Sequence, residues 1–207
     1  MTDWSVVLVI EHMTTTRDNL LEKATQLFLE KGYSAVGTNE LCSAASVNKG
    51  TFYHFFPSKA DLLVQVIEEY SAEISEQFER IANSDISPEA KLVALFDVPK
   101  VANDAWKVKH GYAQGCLVGN MTLELGGADE KIRAAIRASI AQWCRPIASV
   151  VAELIGTKVL PEVDKRQAAE VVVALIQGGL LLAKTMNDPN KITLMASGAI
   201  AHLKANT

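Results

Sequence analysis

TNELCSAASVNKGTFYHFFPSK, running from Thr38 to Lys59, reads as two short helices joined by a tight turn and followed by a sharp stop. Thr38 stands where a helix N-cap belongs, with Leu41, Cys42 and Ala45 facing inward and Asn39 and Glu40 outward. Ala45-Ser46-Val47 makes the turn. Asn48 caps the next helix, and Lys49 to Phe55 form a pair of turns before Pro57 stops them. Ser58 then caps a long helix in the pattern Ser58-x-x-Asp61, a capping box with aspartate in place of glutamate. A helix that enters the major groove of DNA needs small residues at its leading end so that the backbone can approach. Lys49-Gly50-Thr51 supplies a long donor beside a gap and a short hydroxyl. Gly50 inside a helix costs about 1 kcal/mol relative to alanine, and close approach to a phosphate or base would offset it. Tyr53, His54 and Lys59 lie on or just past the same turn, and Thr38 presents the amino end of the other helix, where N–H groups favour phosphate. The alternative reading of these residues is a small helical hairpin with an exposed aromatic patch.

Outward from this stretch, composition narrows the class. The chain has 207 residues, of which 49% are hydrophobic, enough to bury a core without disulfides. Cys42, Cys116 and Cys144 lie far apart, with no CxxC spacing and none paired with a nearby histidine, so neither a zinc site nor a secreted scaffold is expected, and a reducing cytoplasm fits. No metal and no cofactor is called for. The net charge of −4 argues against a protein that coats nucleic acid by bulk attraction. Between Thr14 and Ala60, however, five basic residues (Arg17, Lys23, Lys31, Lys49, Lys59) face four acidic ones (Asp18, Glu22, Glu30, Glu40), so the acid excess lies elsewhere. SVVLVI within residues 1–13 is too short to span a bilayer and lacks the basic flank of a signal peptide, which sets membrane readings aside. That segment is expected to be a dispensable extension.

The helical period continues on both sides. Leu20, Leu21, Ala24, Leu27 and Phe28 make one apolar stripe ending at Gly32. The long helix from Lys59 to about Asn83 carries Leu63, Ile67, Tyr70, Ile74, Phe78 and Ile81 inward, and its glutamates form a solvated face. Pro88 opens a helix to about Asn103, kinked before Pro99. Gly111 and Gly115 bracket a loop, and Cys116 opens a helix closing at Gly126-Gly127. Two further helices, about Asp129 to Ile155 and Asp164 to Met186, precede a last one from Pro189 to about Lys204. The helix ending at Met186 is apolar nearly all round, so a second subunit is expected on one side of it. The fold class is all-α with about nine to ten helices: a head of residues 14–60 and a helical ligand-binding and dimerisation body of residues 61–207.

TNELCSAASVNKGTFYHFFPSKADLL, Thr38 to Leu63, resembles the DNA-binding domain of tetracycline-repressor-type (TetR family) transcriptional regulators, and the likeness runs from about Arg17 to Tyr70. The resemblance implies a homodimer that binds a palindromic site on double-stranded DNA, with an inducer held in the C-terminal domain. It implies groove-facing roles for Lys49, Gly50 and Thr51 and phosphate contacts from Thr38, Tyr53, His54 and Lys59. Two positions depart from the family pattern: Ser46 stands where glycine is usual in the turn, implying a positive φ, and Asn48 stands where the cap is usually serine.

Beyond the head, Cys116, Asn120 and Glu124 fall four apart on one line of their helix. A cysteine at a helix amino end has its thiolate favoured by the dipole, and Lys107, Lys109 and His110 are close in sequence; the other reading is a small hydrophobe filling a gap, which is the one taken for Cys42 and Cys144. GCLVGN with the following EL, and GGLLLAK ending in Lys184, are similar to a subgroup whose members answer reactive carbonyls, quinones, chlorine oxidants or acrylate-like molecules, some through this cysteine. Position and chemistry suggest a pocket of Trp106, Tyr112, Cys116, Asn120 and Trp143 with Met186 nearby, and the resemblance adds Lys184. The reading is a ligand- or stress-responsive DNA-binding regulator, a repressor released by a small molecule or electrophile. A ligand-binding protein without operator binding is the alternative. Enzyme readings fare poorly: the histidines are scattered, and the nearest proposal is a thiol nucleophile at Cys116 with His110 as base.

Overall fold

A computed structural model describes residues 15–127 and 129–205; the amino-terminal extension lies outside them. Among the described residues the secondary structure is helical: α1 Thr16–Lys31, α2 Thr38–Ala44, α3 Lys49–Phe55, α4 Lys59–Ala82, α5 Pro88–His110, α6 Leu117–Leu125, α7 Glu130–Gly156, α8 Lys165–Met186 and α9 Asn190–Ala205.

The ends of these helices follow local chemistry. Thr15 and Asp18 close a reciprocal capping box on α1, and Gly32 ends that helix at φ 81°. Asn48 accepts the Thr51 N–H to start α3, and Ser58 accepts the Asp61 N–H to start α4. Ser46 has φ 56°, the left-handed turn its place demanded. At α2 the expectation shifts by one residue. Gly37 occupies the cap without a side-chain bond, and Thr38 is the first helical residue.

The larger correction is at α5, which runs past Asn103 to His110. Buried Asn103 lies on this stretch: its Nδ2 donates to the Pro99 carbonyl at 2.9 Å and to the Gly115 carbonyl at 3.1 Å, while its Oδ1 accepts the Gly115 N–H at 2.8 Å. The side chain thus clamps α5 to the loop that leads into α6. Lys107, Lys109 and His110 sit in the last turn, where positive charge suits the helix dipole, and Gly111 ends it in the left-handed conformation.

α1–α3 form the head around Leu20, Phe28, Leu41, Phe52 and Phe56, all buried. α4 leaves the head and packs along α7; α7 packs on α8, and α8 on α9. Trp143 of α7 donates its indole N–H to the Ser71 carbonyl of α4 at 3.0 Å, and the Ser71 hydroxyl donates to Ser139 at 2.6 Å, locking the two long helices in register. The short α6 touches α1, α4 and α7, so it is one of the pieces of the body that reach the head.

Candidate DNA interface and ligand site

α3 is short because Asn48 caps it and Phe56 leaves the helix at φ −131°. Within those two turns Phe52 points into the head core, so its neighbours face outward. Lys49, Gly50, Tyr53 and His54 are exposed and Thr51 is half-buried. Tyr53 stands edge-on to Phe52 with ring centroids 5.2 Å apart, which fixes the direction of its hydroxyl. Gly50 has a second reason to be glycine, since a Cβ there would lie 3.1 Å from the Asn48 cap oxygen.

Lys59 is placed differently from its neighbours. Its ammonium donates to the carbonyls of Tyr33 and Val36, both at 2.9 Å, and lies 3.9 Å from the centre of the Tyr33 ring. Burial lowers its pKa, and Glu124 opposes that shift. Two of its three N–H donors therefore brace the α1–α2 turn against the start of α4.

Glu124 completes this brace from the body. Its carboxylate accepts the backbone N–H of Tyr33 at 3.0 Å and of Ser34 at 2.7 Å. A Cβ on Gly32 would come within 3.0 Å of the same carboxylate, so the glycine serves both the helix end and this contact. Burial alone would raise the Glu124 pKa, but the hydrogen bonds from Ser34 and Tyr33 and the nearby Lys59 ammonium leave it below the ordinary glutamate value. A depressed carboxylate pKa stabilises the contact fully above the ordinary value, and that stabilisation disappears as pH falls through the lowered one. At neutral pH the contact is intact.

Cys116 is the N-cap of α6 and is buried. Its Sγ accepts a hydrogen bond from Gln177 Nε2 at 3.5 Å, and the Tyr70 phenol lies beside it. Burial, followed by the adjacent thiol, raises the Tyr70 pKa well above its usual value, so the phenol stays protonated and able to donate to a thiolate. Cys116 and Gln177 form a wall shared by two spaces. The inner one is a cavity of about 120 Å³ whose lining includes Tyr70, Asn103, Gln114 and Trp143. The outer one is a groove of about 400 Å³ between α6, α7 and α8 that includes Asn120, Leu123 and Lys184. Lys184 Nζ donates to Asn120 Oδ1 at 3.2 Å, and burial lowers its pKa.

Of the expected pocket residues, the structure brings Trp143 to the inner side of Cys116 and Asn120 and Lys184 to the outer side. Trp106 and Tyr112 are elsewhere. Trp106 stacks on His110 at 4.0 Å, Tyr112 meets both edge-on, and His110 Nδ1 lies 3.4 Å from Glu30 of α1. Met186 is exposed and lines neither space. The basic residues close to Cys116 in sequence are also drawn off, Lys107 to the Asn187 carbonyl and His110 to this aromatic stack, which removes the geometry of a thiol–histidine pair. The extension of α5 past Asn103 carries them away. Tyr70, Asn103, Gln114 and Gln177 were missed as site residues. The available signal was polarity inside apolar stripes, most plainly Gln177 between Ile176 and Leu180. Among the described residues no group of three or more metal-binding side chains occurs.

The model for "Bacterial regulatory proteins, tetR family" matches residues 20–66, and that for "Tetracyclin repressor-like, C-terminal domain" matches residues 88–198. The chain is 32% identical over 176 residues to the transcriptional regulator AcuR of Cereibacter sphaeroides, covering 84% of this chain and 78% of that protein. It is 29% identical to the transcriptional repressor DhaR of Mycobacterium sp. strain GP1, covering 83% of each. A crystal structure of a TetR regulatory protein from Rhodobacter sphaeroides superposes with a TM-score of 0.79 at 28% identity, covering 90% of this chain and 98% of that one. The reduced form of E. coli NemR shares the fold with a TM-score of 0.74 at 24% identity, covering 92% of this chain and 96% of that one. With both halves matched and the head geometry in place, the chain belongs to the TetR family of DNA-binding transcriptional regulators.

Proposed function

We propose that the protein is a homodimeric repressor whose hold on a palindromic operator is released by a small molecule or thiol-reactive compound acting at Cys116. The observation that carries this reading is the span of α6: Cys116 caps one end beside the cavity, and Glu124 at the other end holds the head through Tyr33 and Ser34. A ligand that displaces the start of α6 pulls on the brace of the reading head, so the two heads of a dimer lose the spacing of their half-sites. Lys49, Gly50 and Thr51 face the groove, and Thr38, Tyr53 and His54 hold phosphates. Lys59 acts chiefly by bracing, with one donor left for the DNA backbone. Ala174, Gly178 and Leu181 of α8 and Leu194, Ser197 and Gly198 of α9 are exposed small or apolar residues that suit a two-fold contact with a second copy. Its place of action is the cytoplasm, where the operator lies.

The test is operator release, followed by gel shift on the DNA upstream of the coding region, with a mild electrophile added to the reduced protein. The wild type should release DNA and Cys116→Ser should hold it. Equal release by both would remove Cys116 as the switch.

Glu124→Ala probes the transmission separately. Inducer coupling in such systems is typically about 5–150-fold in affinity, and the variant should reduce it to less than about threefold while leaving uninduced operator affinity within the same margin. Full coupling in Glu124→Ala would show that the signal takes another route.

A further inference from the structure

The inner cavity is small. An apolar cavity of about 150 Å³ accommodates one benzene molecule; at about 120 Å³ this cavity suits a molecule of about six heavy atoms. Most of its polar side chains are already engaged within the protein. Asn103 is bonded to Pro99 and Gly115, Trp143 donates to Ser71, and Gln177 donates to Cys116. Gln114 differs. It is 6% exposed, lines the cavity, and its Oε1 is buried with no hydrogen-bond partner. A buried acceptor without a donor is unfavourable, and a ligand that brings an N–H or O–H relieves it.

Charge narrows the class further. Among the described lining residues Glu73 alone is charged, and burial together with Glu69 and Glu76 raises its pKa. Lys184, a candidate partner for an anion, lines the outer groove instead. A carboxylate entering the inner cavity would lose its hydration next to a like charge and meet an acceptor at Gln114.

We propose that the inner cavity selects a small uncharged ligand of the amide or alcohol class that donates a hydrogen bond to Gln114 Oε1, and rejects carboxylates of the same shape. This deepens the ligand-responsive reading and does not depend on thiol chemistry.

Isobutyramide, methyl isopropyl ketone and isobutyrate share one branched shape and test the point. The first is neutral with a donor, the second neutral without one, the third anionic. Each is titrated at neutral pH into the full-length Cys116→Ser protein, and into reduced wild type as a fold control, following the Trp143 indole N–H resonance. The amide should bind about tenfold more tightly than the ketone, with the carboxylate weakest. Gln114→Leu should bring the amide down to the level of the ketone and leave the ketone unchanged. Isobutyrate binding as tightly as the amide, amide and ketone binding alike in wild type, or no response to any probe at tens of millimolar would each overturn the proposal. Because the probes are not thiol-reactive, the Cys116→Ser protein lacks the thiol and no DNA is present, the outcome is independent of whether Cys116 is the switch.

Discussion

Phe52→Ala is expected to abolish operator binding by dismantling the head from within. Phe52 is fully buried at the centre of α3, packed against Phe56 with ring centroids 6.1 Å apart and edge-on to Tyr53 at 5.2 Å. Removing a buried phenyl ring costs about 3–5 kcal/mol, the lost transfer free energy plus the cavity left behind. α2 and α3 have 7 residues each, too short to hold their shape without tertiary packing. The loss therefore falls on the element that carries Lys49, Thr51 and Tyr53. Thermal unfolding should show a midpoint lowered by on the order of 10 °C, and gel shift should show no specific complex. A variant that keeps both midpoint and operator affinity would mean that Phe52 does not organise the head.

Gly179→Val should be nearly as damaging, at the opposite end of the molecule. A Cβ at Gly179 would lie 2.9 Å from the Ile192 Cα and 3.3 Å from the carbonyl oxygens of Ile192 and Lys191. All three atoms are backbone, so no side chain can rotate aside, and α9 must move off α8. Overpacking of this kind costs about 1–3 kcal/mol, and the branched side chain places the expectation at the upper end. The neighbouring Gly178 is the control. Nothing lies within 4 Å of a Cβ there in the chain, and alanine is the better helix former, so Gly178→Ala should not lower the midpoint of the monomeric chain while Gly179→Val does. Equal midpoints for the two variants would show that α8 and α9 can separate without loss.

These two glycines show where sequence reading stops. Gly178-Gly179 in an apolar helix signals close approach, but the pair looks the same from either side. Packing separates them: Gly179 faces the chain's own α9, and Gly178 is exposed. The same limit applies around Cys116. The Cys116, Asn120 and Glu124 row was visible as an i, i+4 line, yet each member has a different partner: Gln177, Lys184 and the Tyr33–Ser34 backbone. Those contacts span 61, 64 and 90–91 residues of chain, beyond the reach of any local pattern.

The head was legible because its signals are local. The Asn48 and Ser58 caps, the left-handed Ser46 turn and the outward side chains of α3 depend on residues within a turn or two of one another, and the apolar stripes of α4 and α7 need only the helical period. Trp106 and Tyr112 were misplaced for the opposite reason. The helix from Pro88 was expected to end near Asn103, and the bonds by which that buried asparagine holds Gly115, 12 residues on, have no sequence signal of their own. Once α5 continues, the aromatics turn toward α1, and the cavity beside Cys116 is completed by neighbouring Gln114 and by Tyr70 and Gln177 from two distant segments. Backbone geometry within a few residues set the reading head; long-range packing set the cavity beside Cys116 and the Glu124 contact between body and head.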